Sequence, residues 1–138
     1  MDDRLIMRDD GFARDDWTAA IAPPAEAGTS DAPGLDLDPG ADLAALAPHL
    51  DRLALIRVRF GGFADGRGFT VARRLRAMGY GGRLRAAGPI VADQYAMARR
   101  AGFDEVELTP EIAARQPEAQ WLARADWTAG DYQARLRG

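Results

Sequence analysis

Leu53–Phe60, which reads LALIRVRF, is the stretch that decides the fold. Ala54, Ile56, Val58 and Phe60 fall on one side of an extended chain, and Leu53, Leu55, Arg57 and Arg59 on the other. A parallel sheet covered by helices on both faces needs strands that are apolar on both sides. Here one side carries arginine. The alternation recurs in Arg83–Gly88 (RLRAAG), where Leu84 and Ala86 oppose Arg83 and Arg85. It recurs again in Phe103–Leu108 (FDEVEL), where Val106 and Leu108 oppose Glu105 and Glu107. Three such strands predict one face under helices and an opposite face bearing a cross-strand Arg–Arg–Glu ladder. That ladder is expected to be partly hydrated or covered by the N-terminal hairpin and the C-terminal tail. Exposed pairs of this kind contribute only about 0–1 kcal/mol each. A docked partner is the functional alternative to a self-neutralised face.

Working outward, helices fill the intervals. A glycine-rich loop leads to Thr70, a plausible cap, and a helix runs to Met78 with Val71, Leu75 and Met78 buried and Gly79 ending it. Asp93 reads as the cap of a helix that stops at Gly102, and Thr109-Pro110-Glu111 opens a last helical region. Upstream, Leu35–Leu37 reads as a short strand and Asp38-Pro39 as the start of a helix with Leu43, Leu46 and Leu50 on one face, bent late by Pro48. Residues 4–17 suggest a hairpin around Asp10-Gly11, and Ala22–Gly34 an exposed loop. The succession predicts an α/β fold with a mostly parallel sheet of βα units, either half-barrel or flavodoxin-like. It is expected to form a single domain over 1–138, with hairpin and loop in 1–34 and the βα core and tail in 35–138.

Composition narrows the chemistry. The 138 residues include no cysteine and no lysine, all 18 basic residues are arginine, and His49 is the only histidine. Disulfides, thiolate sites, Schiff-base chemistry and the lysine of a Walker-type loop are excluded. No metal site and no cofactor is expected. His49 reads as a surface or capping residue, and Trp17, Trp121 and Trp127 as anchors for the tails. Net charge is −3, but residues 1–42 hold eleven acids against three arginines, while residues 52–100 hold eleven arginines against Asp65 and Asp93. An acidic chain is a poor nucleic-acid binder. The local surplus calls for a small oxyanion, an acidic partner or the chain's own N-terminal third. No apolar run is long enough to span a membrane, and the acidic start MDDRLIM is unlike a secretion signal, so a cytoplasmic protein is expected.

Ligands of parallel α/β units bind beyond the carboxyl ends of the strands. That rim comprises Gly61–Thr70 (GGFADGRGFT), Gly88–Gln94 (GPIVADQ) and Thr109–Glu111. Gly66 and Gly68 would let amides approach an anion, Thr70 would open a helix towards it, and Arg67 would add a two-pronged contact. Gln94 faces the same rim, and Arg85 would assist if its strand end reaches it. Asp65 and Asp93 are the candidate acid–base groups if the protein is catalytic. The loop is not a dinucleotide fingerprint, because Val71 takes the third glycine position. It is equally an Asp-Gly turn in which Asp65 bonds its own amides.

Phe63–Thr70 (FADGRGFT), Leu75–Gly88 (LRAMGYGGRLRAAG), Asp93-Gln94 and Arg100–Asp104 (RAGFD), with Asp16-Trp17 and Tyr132-Gln133, resemble a bacterial family, number 934 in the domain-of-unknown-function series. The likeness is strongest over residues 53–104. Gly61-Gly62 departs from it, where a proline is expected near the strand end. Members are often labelled probable oxidoreductases of sulfite reduction. The resemblance implies an accessory protein of assimilatory sulfite reduction, acting by partner docking or oxyanion binding, with the sulfite reductase haemoprotein as a possible partner. An enzyme of sulfite metabolism with a borrowed cofactor, and a flavin- or nucleotide-binding module, are the alternatives.

Overall fold

The computed structural model describes residues 4–62 and 65–128. Seven strands form one sheet: β1 (Leu5–Arg8), β2 (Gly11–Arg14), β3 (Ile21–Ala22), β4 (Gly34–Leu37), β5 (Leu55–Arg59), β6 (Arg83–Ala87) and β7 (Glu105–Leu108). Five helices accompany them: α1 (Leu43–Leu46), α2 (Arg67–Ala77), α3 (Tyr95–Ala101), α4 (Pro110–Arg115) and α5 (Glu118–Leu122). The strand order is β2-β1-β7-β6-β5-β4-β3, parallel from β3 to β7 and antiparallel at β1 and β2. Consecutive parallel strands are spatial neighbours throughout, with no reversal of order. The flavodoxin-like alternative, which needs such a reversal, is therefore set aside in favour of an open sheet wound in one direction.

One direction of winding puts the crossovers on one face. Ile56, Val58, Leu84, Ala86, Val106 and Leu108 turn to that face and are buried with Val71, Leu75, Ala98 and Phe103. Phe60, Phe69 and Phe103 meet with ring centroids 5.1–6.5 Å apart. Gly68 is buried against Phe60, whose ring would lie 2.3 Å from a Cβ at that position. Its missing side chain lets α2 press onto the strand end. Trp121 is fully buried, with its indole N–H on the Gln116 carbonyl at 3.0 Å. Met78, expected in the buried stripe, caps α2 and is 37% exposed, while Tyr80 is buried instead.

Helix starts differ from the sequence reading for local reasons. Asp42, not Asp38, caps α1 by accepting from the Ala44 and Ala45 amides, because Asp38 is held by Arg59 at 3.0 Å. The helical path then tightens into a 3₁₀ segment through Pro48. α3 follows a 3₁₀ turn at Ala92–Gln94, where the Gln94 side chain accepts from the Val91 amide at 3.0 Å, so Asp93 is not the cap. Thr109 caps α4 and Pro110 is its first residue, as expected. The hairpin turn is Asp9-Asp10, with Gly11 at φ +122° opening β2. Of the stretch expected to be loop, Ala22 ends the edge strand β3 and Pro24–Glu26 forms a 3₁₀ turn.

β2 and β3 occupy opposite edges of the sheet, yet only residues 15–20 join them. Laid flat, the edges would stand six inter-strand spacings apart, roughly 29 Å. Seven peptide steps from Arg14 to Ile21 reach at most about 25 Å. The sheet must therefore curl towards this crossing strap, which lies on the face opposite the helices.

Gly88, at the end of β6, has φ +124°, and a Cβ there would lie 2.6 Å from the Phe60 carbonyl oxygen. Gly88→Ala is expected to destabilise the fold by more than about 1 kcal/mol, read by urea denaturation.

Candidate functional site

On the concave face the register sets Asp36, Arg57, Arg85 and Glu105 side by side across β4–β7, followed on β1 by Arg8. The ladder is closed to water at its centre and hydrated at its margin, where the Arg59 side chain is 48% exposed. Arg85 is 0% exposed, Glu105 1% and Glu107 6%. Glu105 accepts from Arg85 Nε at 2.6 Å and from the Nε atoms of Arg83 and Arg8 at 3.0 Å each. Glu107 accepts from Arg57 Nε at 2.9 Å and Nη2 at 2.5 Å, and from Arg85 Nη1 at 3.0 Å. Arg57 also holds Asp36 through both carboxylate oxygens. Two neighbouring guanidinium groups are thus kept apart by a shared carboxylate.

The strap closes this network from above. Asp15 places both oxygens on Arg85, at 2.9 and 3.0 Å, and Asp16 bridges Arg83 at 2.6 Å and Arg8 at 2.9 Å. Arg83 bonding outweighs desolvation and holds Asp16 at about 2. Burial would raise Asp15 and Glu107, but the Arg85 and Arg57 bonds overcome it and leave both lowered. Trp17 packs against Gly34 with its indole N–H buried and unpartnered, a desolvation cost of about 1–3 kcal/mol. The split charge of the chain is resolved here. Asp9, Asp15, Asp16, Asp36 and Asp38 of the N-terminal third pair with Arg99, Arg85, Arg83, Arg57 and Arg59.

At the carboxyl-end rim the loop after β5 behaves as an Asp-Gly turn. Phe63 and Ala64 lie outside the described residues, as do Tyr132 and Gln133. Asp65 accepts from the amides of Gly61 and Arg67 and takes a two-pronged contact from Arg67 at 2.9 and 3.1 Å. The Arg67 bond draws Asp65 down to about 2. Gly66 is the N-cap of α2, the Arg67 amide donates to Asp65, and Thr70 sits inside the helix, exposed. Arg67 is 70% exposed.

The structure groups Asp65, Gly66 and Arg67 at one rim turn, with Thr70 the fourth residue of α2 and Gly68 turned inward. Arg85 does not join them: its guanidinium is enclosed in the middle of the concave face. Gln94 spends its carbonyl on Val91. Asp93, 78% exposed, pairs with Arg124 at 2.8 Å rather than with Asp65. Sequence reasoning overlooked Asp15 and the cleft of about 220 Å³ lined by Arg4, Arg57, Gly88, Glu107 and Thr109. The signal for Asp15 was the acid surplus of the N-terminal third, which needed arginines to meet. Among the described residues no three His, Asp or Glu side chains are grouped to hold a metal. No helix among them is long and apolar enough to cross a membrane.

A family model described as "Bacterial protein of unknown function (DUF934)" matches residues 34–138, about three quarters of the chain. The hairpin, the strap and Asp16-Trp17 precede the match. No curated protein and no solved structure matches the chain.

Arg85→Leu leaves Asp15, Glu105 and Glu107 without their shared cation, and a loss of about 3–5 kcal/mol is expected in urea denaturation. Removing the exposed Arg59–Asp38 pair should cost under about 1 kcal/mol in the same assay. Asp15, Asp16 and Glu107 are lowered in the folded state, so they stabilise it fully above the unfolded carboxylate range near pH ~4. That contribution drains as pH falls towards the value of about 2 held by Asp16, and acid unfolding followed by circular dichroism should fall in this window.

Proposed function

The chain belongs to the bacterial family of unknown function DUF934, and from that premise we propose that it is a non-catalytic accessory protein of assimilatory sulfite reduction. It acts by docking a partner or holding an oxyanion at the rim turn of Asp65, Gly66, Arg67 and Thr70. The observation that carries a binding role over a catalytic one is the state of the two acid–base candidates. Asp65 is clamped by Arg67 and held at about 2, too low for a base working near neutrality. Asp93 is exposed and paired with Arg124. The Arg67 guanidinium, by contrast, stands in solvent at the start of an eleven-residue helix, where negative charge is favoured. An incoming carboxylate or oxyanion exchanges for Asp65 on the same fork. The sulfite-reduction assignment is supported by the likeness of the rim and strand motifs to a family carrying that label.

Deletion of the gene is expected to abolish growth on sulfate and sulfite while sparing growth on sulfide, and Arg67→Ala should fail to complement. Equal growth on all three sulfur sources would remove the pathway. Co-purification with the sulfite reductase haemoprotein at low salt tests the docking arm, and loss of that complex in Arg67→Ala is the expected result.

A further inference from the structure

Arg73 and Arg74 lie exposed on the outer side of α2, and neither forms a hydrogen bond or ion pair with another described residue. α2 and α3 together carry six arginines and no acid. Three of the six meet a carboxylate from elsewhere in the chain: Arg67 takes Asp65, Arg76 takes Asp104 and Arg99 takes Asp9. Arg100 is exposed and, among the described residues, bonds the Trp127 carbonyl at 2.9 Å rather than a carboxylate. Arg73, Arg74 and Arg100 thus present positive charge to solvent on a chain whose net charge is −3.

Helix packing places these cations about an apolar centre. Arg76 reaches from α2 to the Gly102 carbonyl at 3.0 and 2.8 Å, which sets the last turns of the two helices side by side. Arg73, three residues before Arg76, shares its flank of α2. Arg99 turns away from α2 to Asp9, at the end of β1 and beyond β7. Met97 stands about 160° around the helix from Arg99, on the flank of α3 towards α2. Arg73 and Met97 therefore face one another across the α2–α3 seam, with Arg100 the next residue along the same flank of α3. Met97 is 48% exposed, more than Met78 at 37% or Leu122 at 41%. Thr70, Arg74 and Ala77 complete the exposed ridge of α2.

We propose that the outer seam of α2 and α3, centred on Met97 and bordered by Arg73, Arg74 and Arg100, is a docking surface for an acidic segment of another protein, one that carries an apolar side chain between carboxylates. Charge complementarity selects this partner. A guanidinium with no carboxylate of its own offers its fork to an incoming one without breaking an existing pair. Methionine adapts its shape to the apolar side chain between them. A nucleic acid would meet only three unopposed cations on an acidic chain and would leave Met97 unused. A lipid surface demands a broader apolar face than one side chain. The surface goes beyond the rim turn, since Arg73 lies about 9 Å along the helix axis from Arg67. It requires neither an oxyanion nor sulfite reduction.

Fluorescence anisotropy with a dye-labelled helical peptide bearing glutamate and leucine on one face tests it. The wild type should bind saturably, and binding should weaken as salt rises. Arg73→Glu with Arg74→Glu should weaken it by about tenfold or more, and Met97→Ser several-fold, while Arg124→Ala leaves it unchanged. Loss of binding in Arg67→Ala with none in the Arg73/Arg74 variant would place the acidic segment at the rim turn and overturn this proposal, whereas the reverse pattern supports it whatever becomes of the rim turn. No saturable binding by the wild type, equal binding of a peptide with serine in place of leucine, or tighter binding of single-stranded oligothymidylate would overturn it as well. So would a wild-type dimer in sedimentation that the Arg73/Arg74 variant loses, because a second copy would then cover the seam. Should the charge reversal fail to fold by circular dichroism, Arg73→Gln with Arg74→Gln decides, and unchanged binding there rejects the surface.

Discussion

The Arg85 guanidinium, shut away from water in the middle of the sheet, is the group to which the rest of the structure is fitted. A buried cation is tolerated only where carboxylates meet it with good geometry. Here they come from two distant places in the chain: Glu105 and Glu107 from β7, and Asp15 from the strap. The demand for both sets fixes β7 beside β6 and draws residues 15–20 across the sheet. It also accounts for the residue type. The five fixed N–H donors of arginine reach three carboxylates at once, where a lysine ammonium would present a compact point charge. A chain whose 18 basic residues are all arginine is suited to such a network.

Winding in one direction creates the problem that this network solves. Helices on a single face leave the opposite face of a parallel sheet without an apolar layer. The chain covers that face with alternating charge and a strap of six residues. Since the strap is shorter than the flat sheet is wide, the curl of the sheet and the closure of the charged face are one event. Loss of the strap contacts would expose Arg85 and relax the constraint that brings the two edges together.

The alternation in Leu53–Phe60, Arg83–Gly88 and Phe103–Leu108 made the parallel core, its helix-covered side and its charged side readable from local pattern alone. The caps were less readable, because several residues able to cap lie within a few positions of one another. Tertiary partners choose among them: Arg59 takes Asp38 and leaves the cap to Asp42, and α2 opens at Arg67, whose amide donates to Asp65, three residues before Thr70. Gly68 looked like a ligand-facing glycine, but the glycine is required by the ring of Phe60, which follows the preceding strand. The burial of the ladder was hidden for a related reason. Nothing in the spacing of residues 15–20 says that they run from one edge to the other, and only the excess of acids before residue 42 hinted that the arginines would be met from within.

A face whose charges are paired is not thereby uniform. In a hydrated face each pair is weak, and an anion from solution gains little by replacing one carboxylate with another. At the centre of this face Arg85, Glu105 and Glu107 are desolvated, so each depends on its partners' geometry, while the pairs at the margin stay exposed. At the open turn of Arg67, by contrast, water competes for every donor. The two places therefore differ in kind. The rim turn presents an accessible cation, and the concave face an enclosed network closed by residues 15–20 of the chain itself.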